Sequence, residues 1–182
     1  MTLIAYDPVA QGGAFIAALE AAGVSVTLTP AGLMVSDAAA AATIAGDAAA
    51  ILAQAQAQAV AAVNAAETAA IAAGYTYSGK VIETDAASQA NIAAQSLAAL
   101  ASTVSPSTNP WNTGFYWVCA DGSQLPLATA SAMLTLGSAI GAYVSAVILY
   151  AASLRAAIAT ATSLSAVAAI VAALDTGWPG AS

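Results

Sequence analysis

Short apolar runs separated by turn residues characterise the first 36 residues. Residues 3–6 predict a short strand, and residues 14–22 place their larger apolar side chains on one face of a short helix. Strict alternation of apolar and polar residues at 24–29 predicts a half-buried strand, and residues 33–35 a last short strand. The pattern therefore indicates a small α+β module, too small to bury much surface alone.

Helix-forming residues run almost without interruption from residue 38 to residue 73. Ser36 or Asp37 suits the N-cap position, and Gly74 is a suitable stop. A helix of this length reaches about 50 Å. Its large apolar residues do not follow a strict heptad: Ile44, Ile51, Leu52, Val60, Val63 and Ile71. An alanine-lined helix of this kind favours close packing against other helices over an isolated coiled coil.

The remaining residues alternate hairpin and helix signals. Residues 75–84 predict a hairpin with Ser-Gly at its turn, followed by a helix that Thr84 caps and that ends near Thr103. An aromatic strand at 115–120 returns through 124–127 as a second hairpin.

Two helices complete the predicted elements. Thr129 begins a long helix that continues to about Thr160, and Thr162 caps a final short helix.

These elements predict a mainly α protein with small β elements. We expect three segments: an N-terminal α+β docking module at 1–36, a long Ala-rich helix at 37–74, and a C-terminal helical domain with β-hairpins at 75–182.

Composition argues against an enzyme. Of the 182 residues 56 are Ala, and the chain has no His, one Lys (Lys80), one Arg (Arg155) and one Cys (Cys119). Acid–base, thiol and metal chemistry rely on imidazole, thiolates and clustered charges. We therefore expect no catalytic residues, no cofactor site and no metal site.

The formal charge of −7 excludes nucleic acid as an expected partner. It arises from nine scattered carboxylates against two cations, whereas phosphate binding needs clustered Lys or Arg.

A membrane span is the main rival to a buried core helix. Residues 124–154 contain no charge and include the small-residue spacing Gly137-xxx-Gly141, so residues 127–154 could cross a bilayer. Against this, the segment carries several hydroxyl residues, and its large side chains recur at three-four spacing, which marks one face. They are Met133, Leu136, Ile140, Tyr143, Val144, Val147 and Ile148. The buried helix is favoured and membrane partners are not expected.

Three motifs in the second half carry a family resemblance. The motifs are residues 77–88 (YSGKVIETDAAS), residues 115–122 (FYWVCADG) and the tail from LRAAI at 154–158 to Ile170. Together they resemble an uncharacterised C-terminal domain of tailed-phage tail and tail-fibre-region proteins. The resemblance covers about residues 75–178.

The resemblance implies a location for the protein in the phage particle rather than a catalysed reaction. It suggests a virion structural protein of the phage tail, baseplate or tail fibre, made in the host cytoplasm and bound to other tail or baseplate proteins. A tail-fibre assembly factor is the alternative. This chain carries far less charge than the family pattern, which favours a component buried in the virion.

We expect self-association, with a trimer preferred and residues 38–73 at the contact. Phe115 and Trp117 are expected in the core, whereas Trp111 and Trp178 lie in Pro/Gly-rich loops where a neighbour could reach them. The candidate interface residues are Ile44, Ile51, Ala55, Ala62, Val63, Trp111 and Trp178.

Overall fold

The computed structural model of the chain describes residues 1–4, 16, 19–30, 32–174 and 176–180. Its elements follow in the order β1 (Thr2–Ile4), β2 (Val26–Thr29), β3 (Gly32–Val35), α1 (Ala38–Ala72), β4 (Tyr75–Tyr77), β5 (Lys80–Ile82), α2 (Ala86–Val104), β6 (Tyr116–Val118), β7 (Gln124–Pro126), α3 (Ala130–Thr160) and α4 (Leu164–Ala172). Helices predominate and every sheet is small, so the predicted fold class is confirmed.

The chain forms two compact units. The first unit comprises Met1–Val63 with Leu154–Ala173, and the second unit comprises Asn64–Ser153 with Leu174–Ser182. Two of the three boundaries fall inside the long helices α1 and α3, and the third follows the end of α4, whereas the three predicted segments end where elements end. The division into segments 1–36, 37–74 and 75–182 stays a prediction.

The first unit contains a three-stranded antiparallel sheet in the order β1-β3-β2. Helical residues 19–21 precede Gly23, whose φ of +77° suits the predicted helix end. Most of the rest of that predicted helix lies outside the described residues. The core of this unit consists of Leu19, Val24, Leu33, Val35 and Ala41.

Leu28 departs from the alternation predicted for β2. It is in register with the buried Leu33, yet it remains 64% exposed. β2 is an edge strand, which pairs with β3 on one side only, and its alternation of residue types does not bury Leu28.

Capping residues fix the two ends of α1. The Asp37 carboxylate accepts hydrogen bonds from the backbone N–H groups of Ala39 (2.9 Å) and Ala40 (3.0 Å), so Asp37 is the N-cap. Gly74 ends the helix with a φ of +83°, and a Cβ there would lie 2.7 Å from the Ile82 carbonyl oxygen. Glycine is therefore required on both conformational and steric grounds.

Two hairpins and two helices surround the core of the second unit. The β4–β5 turn has positive φ at Ser78 (51°) and Gly79 (76°), as a two-residue hairpin turn requires. The predicted hairpins are confirmed. The core of the second unit consists of Ile82, Ile92, Ala99, Cys119, Leu125, Leu127, Met133, Leu136 and Ile140.

Two predicted helix caps are wrong by one residue. Asp85, not Thr84, caps α2, accepting from the N–H groups of Ala87 (2.8 Å) and Ser88 (3.0 Å). Thr84 is instead buried and donates its hydroxyl to the Ile71 carbonyl. Likewise Ser163, rather than Thr162, caps α4 by accepting from the Ala166 N–H at 3.2 Å. Thr129 caps α3 as predicted, accepting from Ala132.

One face of α3 is buried, as its three-four spacing predicts. Met133, Leu136 and Val147 are fully buried, and Ile140 and Tyr143 nearly so. Ile148 is the exception among the predicted face residues, since it stays substantially exposed.

Candidate functional site

An apolar groove in the first unit is the candidate site for protein contacts. It has a volume of about 550 Å³ and lies between α1 and α4; we call it the α1/α4 groove. None of its lining side chains is charged, and one, Gln58, is polar. The lining residues are Ala55, Gln58, Ala59, Ala62, Leu164, Val167, Ala168, Val171 and Ala172.

Helical spacing produces this groove. Alanines at 55, 59 and 62 recur along one face of α1, and their small side chains leave room that larger residues would fill. Ala59 and Val167 are buried at its floor, whereas Leu164 (47% exposed) and Val171 (38% exposed) remain open to contact. The groove therefore presents apolar surface that its own unit does not cover.

A polar contact holds the helix ends beside the groove. The Gln56 side-chain amide donates to the carbonyl oxygens of Ile158 and Ala161, both at 3.0 Å. These carbonyls lie at the C-terminal end of α3, where the regular helical hydrogen bonds end; the Ile158 carbonyl also accepts from the Ala161 N–H at 3.2 Å. Gln56 thus positions the turn that leads into α4.

The structure separates the predicted interface residues of α1. Ala55 and Ala62 both line the groove, and Ile51 is 53% exposed but is not among the lining residues. Val63 is fully buried within the chain, so its assignment to an interface is corrected. Ile44 packs against the core of the first unit, which occupies much of its side chain.

Trp111 and Trp178 are held within the second unit. The Trp111 indole donates to the Leu127 carbonyl at 2.8 Å and meets the Phe115 ring edge-on at 5.3 Å. The Trp178 indole donates to the Leu174 carbonyl at 2.6 Å and meets the Tyr150 ring edge-on. Each indole is half-buried with its N–H satisfied. Partner contact through them stays a prediction.

A second groove lies between α2 and α3. It has a volume of about 620 Å³ and includes Gly137, Gly141 and Ser96. A Cβ at Gly137 would lie 2.2 Å from the Ser96 hydroxyl oxygen, whereas one at Gly141 would meet nothing within 4 Å. In the Gly137-xxx-Gly141 motif, Gly137 thus allows α2 and α3 to pack closely, whereas Gly141 leaves open surface.

An exposed apolar stripe on α2 was not predicted as a surface. Leu97, Leu100 and Val104, at i, i+3 and i+7, are all exposed. Their spacing is visible in the sequence, but it predicts a buried face equally well.

Asp121, Ser123 and Lys80 form a small hydrogen-bonded cluster at the β6–β7 turn. Hydrogen bonds from the Ser123 hydroxyl and backbone N–H hold the pKa of the exposed Asp121 below its usual range, with a smaller contribution from Lys80. Lys80 itself donates to the Ser123 hydroxyl, and Cys119 is buried. Among the described residues, no group of three or more His, Cys, Asp or Glu could hold a metal ion.

One family model matches the chain over residues 54–175; it is described as a domain of unknown function, DUF4376. The match includes the α1 and α4 residues of the groove and the whole of α2 and α3. No curated protein and no solved structure matches the chain.

Proposed function

The chain belongs to the DUF4376 family, and from that premise we propose that it is a structural protein of a tailed-phage virion. It acts in the tail, baseplate or tail-fibre region by binding other tail proteins and further copies of itself. The resemblance of residues 75–178 to tail and fibre-region proteins supports the location. The surface of α1 supports protein contact as the mode of action.

The carrying observation is how little of α1 its own chain covers. In the most apolar window of this 35-residue helix, 6% of the residues are fully buried, and the other described ones are half-buried or exposed. An isolated helix of small apolar residues gains little free energy by folding in water, because it buries little apolar surface. A second protein surface that covers α1 supplies the missing burial.

The charge distribution favours a second copy of the chain at the groove. Two molecules that each carry −7 repel one another over most of their surfaces. The α1/α4 groove is lined only by uncharged residues, so two copies approach there without burying a carboxylate. We prefer a trimer because fibre-region proteins, which the chain resembles, are usually trimeric.

Mass spectrometry of purified virions tests the structural role. We expect the protein in finished particles at a fixed copy number relative to other tail proteins. If it is made during infection but missing from finished particles, the assembly-factor alternative replaces the structural one.

The second candidate is an integral membrane protein. Both α1 and α3 are long and apolar enough to cross a bilayer, and the most apolar window of α3 is only 28% buried. We rank this second because the largest side chains of α3 already lie in the core of the second unit. Alkaline carbonate extraction separates the candidates: we expect the protein in the supernatant, and retention in the membrane pellet would favour the span.

A further inference from the structure

The outward side of α2 is apolar, which is the reverse of the usual pattern for a surface helix. Leu97, Leu100 and Val104 are each half or more exposed, and their i, i+3, i+7 spacing places them along one side of the helix. We call these three residues the α2 stripe. The other exposed apolar residues of α2 are Ala86, Ala87, Ala90, Ala93, Ala94, Ala98 and Ala101.

The polar residues of α2 lie mostly on its inward side. Among the exposed residues of this helix, only Asn91 and Thr103 are polar. A surface helix normally turns its polar residues to water and its apolar residues to the core. An outward side that is apolar in this way indicates a surface that another protein covers. The remaining polar residues of α2 are half-buried or buried: Ser88, Gln89, Gln95, Ser96 and Ser102.

We propose that the α2 stripe of one copy docks in the α1/α4 groove of a second copy, so that the copies join head to tail. This inference rests on the proposed self-association and names the surface that fills the groove. It follows the helix-in-groove mode of recognition, in which large apolar residues at i, i+3 and i+7 anchor a helix.

The stripe and the groove match in length and shape. Leu97 to Val104 is a step of seven residues, about 10 Å of helix, and the α1 wall of the groove spans the same step from Ala55 to Ala62. The groove is lined largely by alanine, so its short side chains leave space that the longer side chains of the stripe can fill. Two grooves placed face to face would instead enclose a void, whose lining loses packing contacts.

The two surfaces also match in charge. Residues 86–120, which include α2, contain no charged residue, and neither do residues 48–66 and 156–174, which contain the groove lining. Contact between them therefore buries no carboxylate, although each copy carries a charge of −7. A strongly charged partner would find no opposite charge on either surface, so a second copy of the chain is the favoured occupant.

This contact has a consequence for assembly. A head-to-tail contact uses a different surface on each copy, so each added copy still has one free stripe or groove until the set closes into a ring. A closed ring of three copies is the head-to-tail assembly that agrees with the preferred trimer.

Mixing two full-length variants tests the contact. Leu100→Glu places a carboxylate in the stripe and leaves the groove intact, whereas Ala168→Glu alters the groove and leaves the stripe intact. In sedimentation velocity we expect each variant alone to be monomeric, with association weakened more than about a hundredfold. Mixed at high concentration, the two should form a heterodimer, because the intact stripe of one docks in the intact groove of the other. The heterodimer cannot grow further, since its remaining stripe and groove are both altered.

Asn91→Glu is the matched control, because Asn91 is exposed on α2 but about 120° around the helix from Leu97. It should associate like the unmodified protein. Leu97→Glu, at a more exposed position of the stripe, should behave like Leu100→Glu. Circular dichroism should show the same helix content in every variant.

Three outcomes would overturn the head-to-tail contact while leaving self-association in place. The first is a Leu100→Glu variant that associates like the unmodified chain. The second is an Ala168→Glu variant that still dimerises when Leu100→Glu does not, which would show that the stripe pairs with itself. The third is a mixture that stays monomeric while the unmodified chain associates. A monomeric unmodified chain would instead overturn the proposed self-association, and this contact with it.

Discussion

Ser96 combines close helix packing with an unsatisfied hydroxyl. Its oxygen is buried without a hydrogen-bond partner among the described residues, at the point where Gly137 allows α2 and α3 to approach. A buried hydroxyl without a partner costs about 1–3 kcal/mol. Removing the Ser96 hydroxyl should therefore remove this unfavourable contribution to the folding free energy.

We predict that Ser96→Ala raises the free energy of unfolding by about 1 kcal/mol beyond the gain in helix propensity. Ser145→Ala is the matched control, since Ser145 is an exposed serine inside α3 and gains the same propensity. Urea unfolding of the two variants measures the difference. Equal gains would show that the Ser96 hydroxyl is satisfied in solution.

Tyr143 gives a prediction at high pH. Burial raises its pKa above the ordinary value of 10.0, and its hydroxyl donates to the Ala70 carbonyl at 2.6 Å. The folded state favours the neutral phenol of Tyr143. The stability that comes from the neutral phenol is therefore fully present below the ordinary tyrosine pKa and is lost as the pH rises through the raised pKa of the folded state. We expect the unfolding free energy to fall more steeply above about pH 10 than in Tyr143→Phe.

Comparing the unmodified protein with Tyr143→Phe near neutral pH tests the hydrogen bond from Tyr143 to the Ala70 carbonyl. Tyr143→Phe should lower the unfolding free energy by about 1 kcal/mol, because the Ala70 carbonyl loses its donor. Identical pH profiles for the two proteins would contradict a buried, hydrogen-bonded phenol.

At the scale of elements, Asp85 links a helix cap to acid stability. The Ser88 backbone N–H, followed by the Ser88 hydroxyl, lowers the pKa of this carboxylate below its ordinary value of 3.8. A lowered pKa adds stability above the ordinary value, which disappears as the pH falls through the folded-state value.

We therefore predict that the stability advantage of the unmodified protein over Asp85→Asn, measured by thermal unfolding, shrinks as the pH is lowered through the range below about 4. Asparagine retains much of the capping geometry but cannot ionise, which isolates the charge. Asp47→Asn is the control, because Asp47 lies in the third turn of α1 and is not its N-cap. A difference that stays constant with pH would contradict an ionised cap.

The elements were largely predictable from local pattern. Helix-forming runs, capping residues and Gly-containing turns placed α1, α2 and α3 within about two residues, because these signals act over a few neighbouring residues. The cap errors at Thr84 and Thr162 arose where two residues with capping side chains are adjacent, because the residue types alone do not decide which of the two accepts from the first turn of the helix. Leu28 and Ile148 were misjudged because alternation and helical spacing identify the apolar face of an element but do not show how much of that face is buried.

The candidate site was predictable only in part. Ala55 and Ala62 were named from the sequence and line the groove, but its other wall comes from α4, about a hundred residues away. No local pattern indicates which distant helix packs beside an alanine face. The burial of Val63 was missed for the same reason.

At the scale of the whole molecule, low charge and small side chains act together. The cores of the two units consist mainly of larger aliphatic side chains, whereas the alanine-rich helix α1 keeps a long surface that the chain itself does not bury. None of the carboxylates in the described part of the chain lines the α1/α4 groove. Association through that groove is the central claim of the proposed function.

Sedimentation velocity of the purified chain over a wide concentration range tests this claim most directly. The decisive variants are Ala168→Glu and Ala62→Glu, which place a charge in the groove. Their matched controls are Ala169→Glu and Ala61→Glu, at exposed neighbouring positions outside the groove lining. Burying an unpaired carboxylate costs several kcal/mol, about 3 kcal/mol being enough to weaken association more than a hundredfold. We predict an oligomer for the unmodified chain and both controls, and monomers for the two groove variants. A monomeric unmodified chain at every concentration, or groove variants that associate as strongly as their controls, would contradict the account.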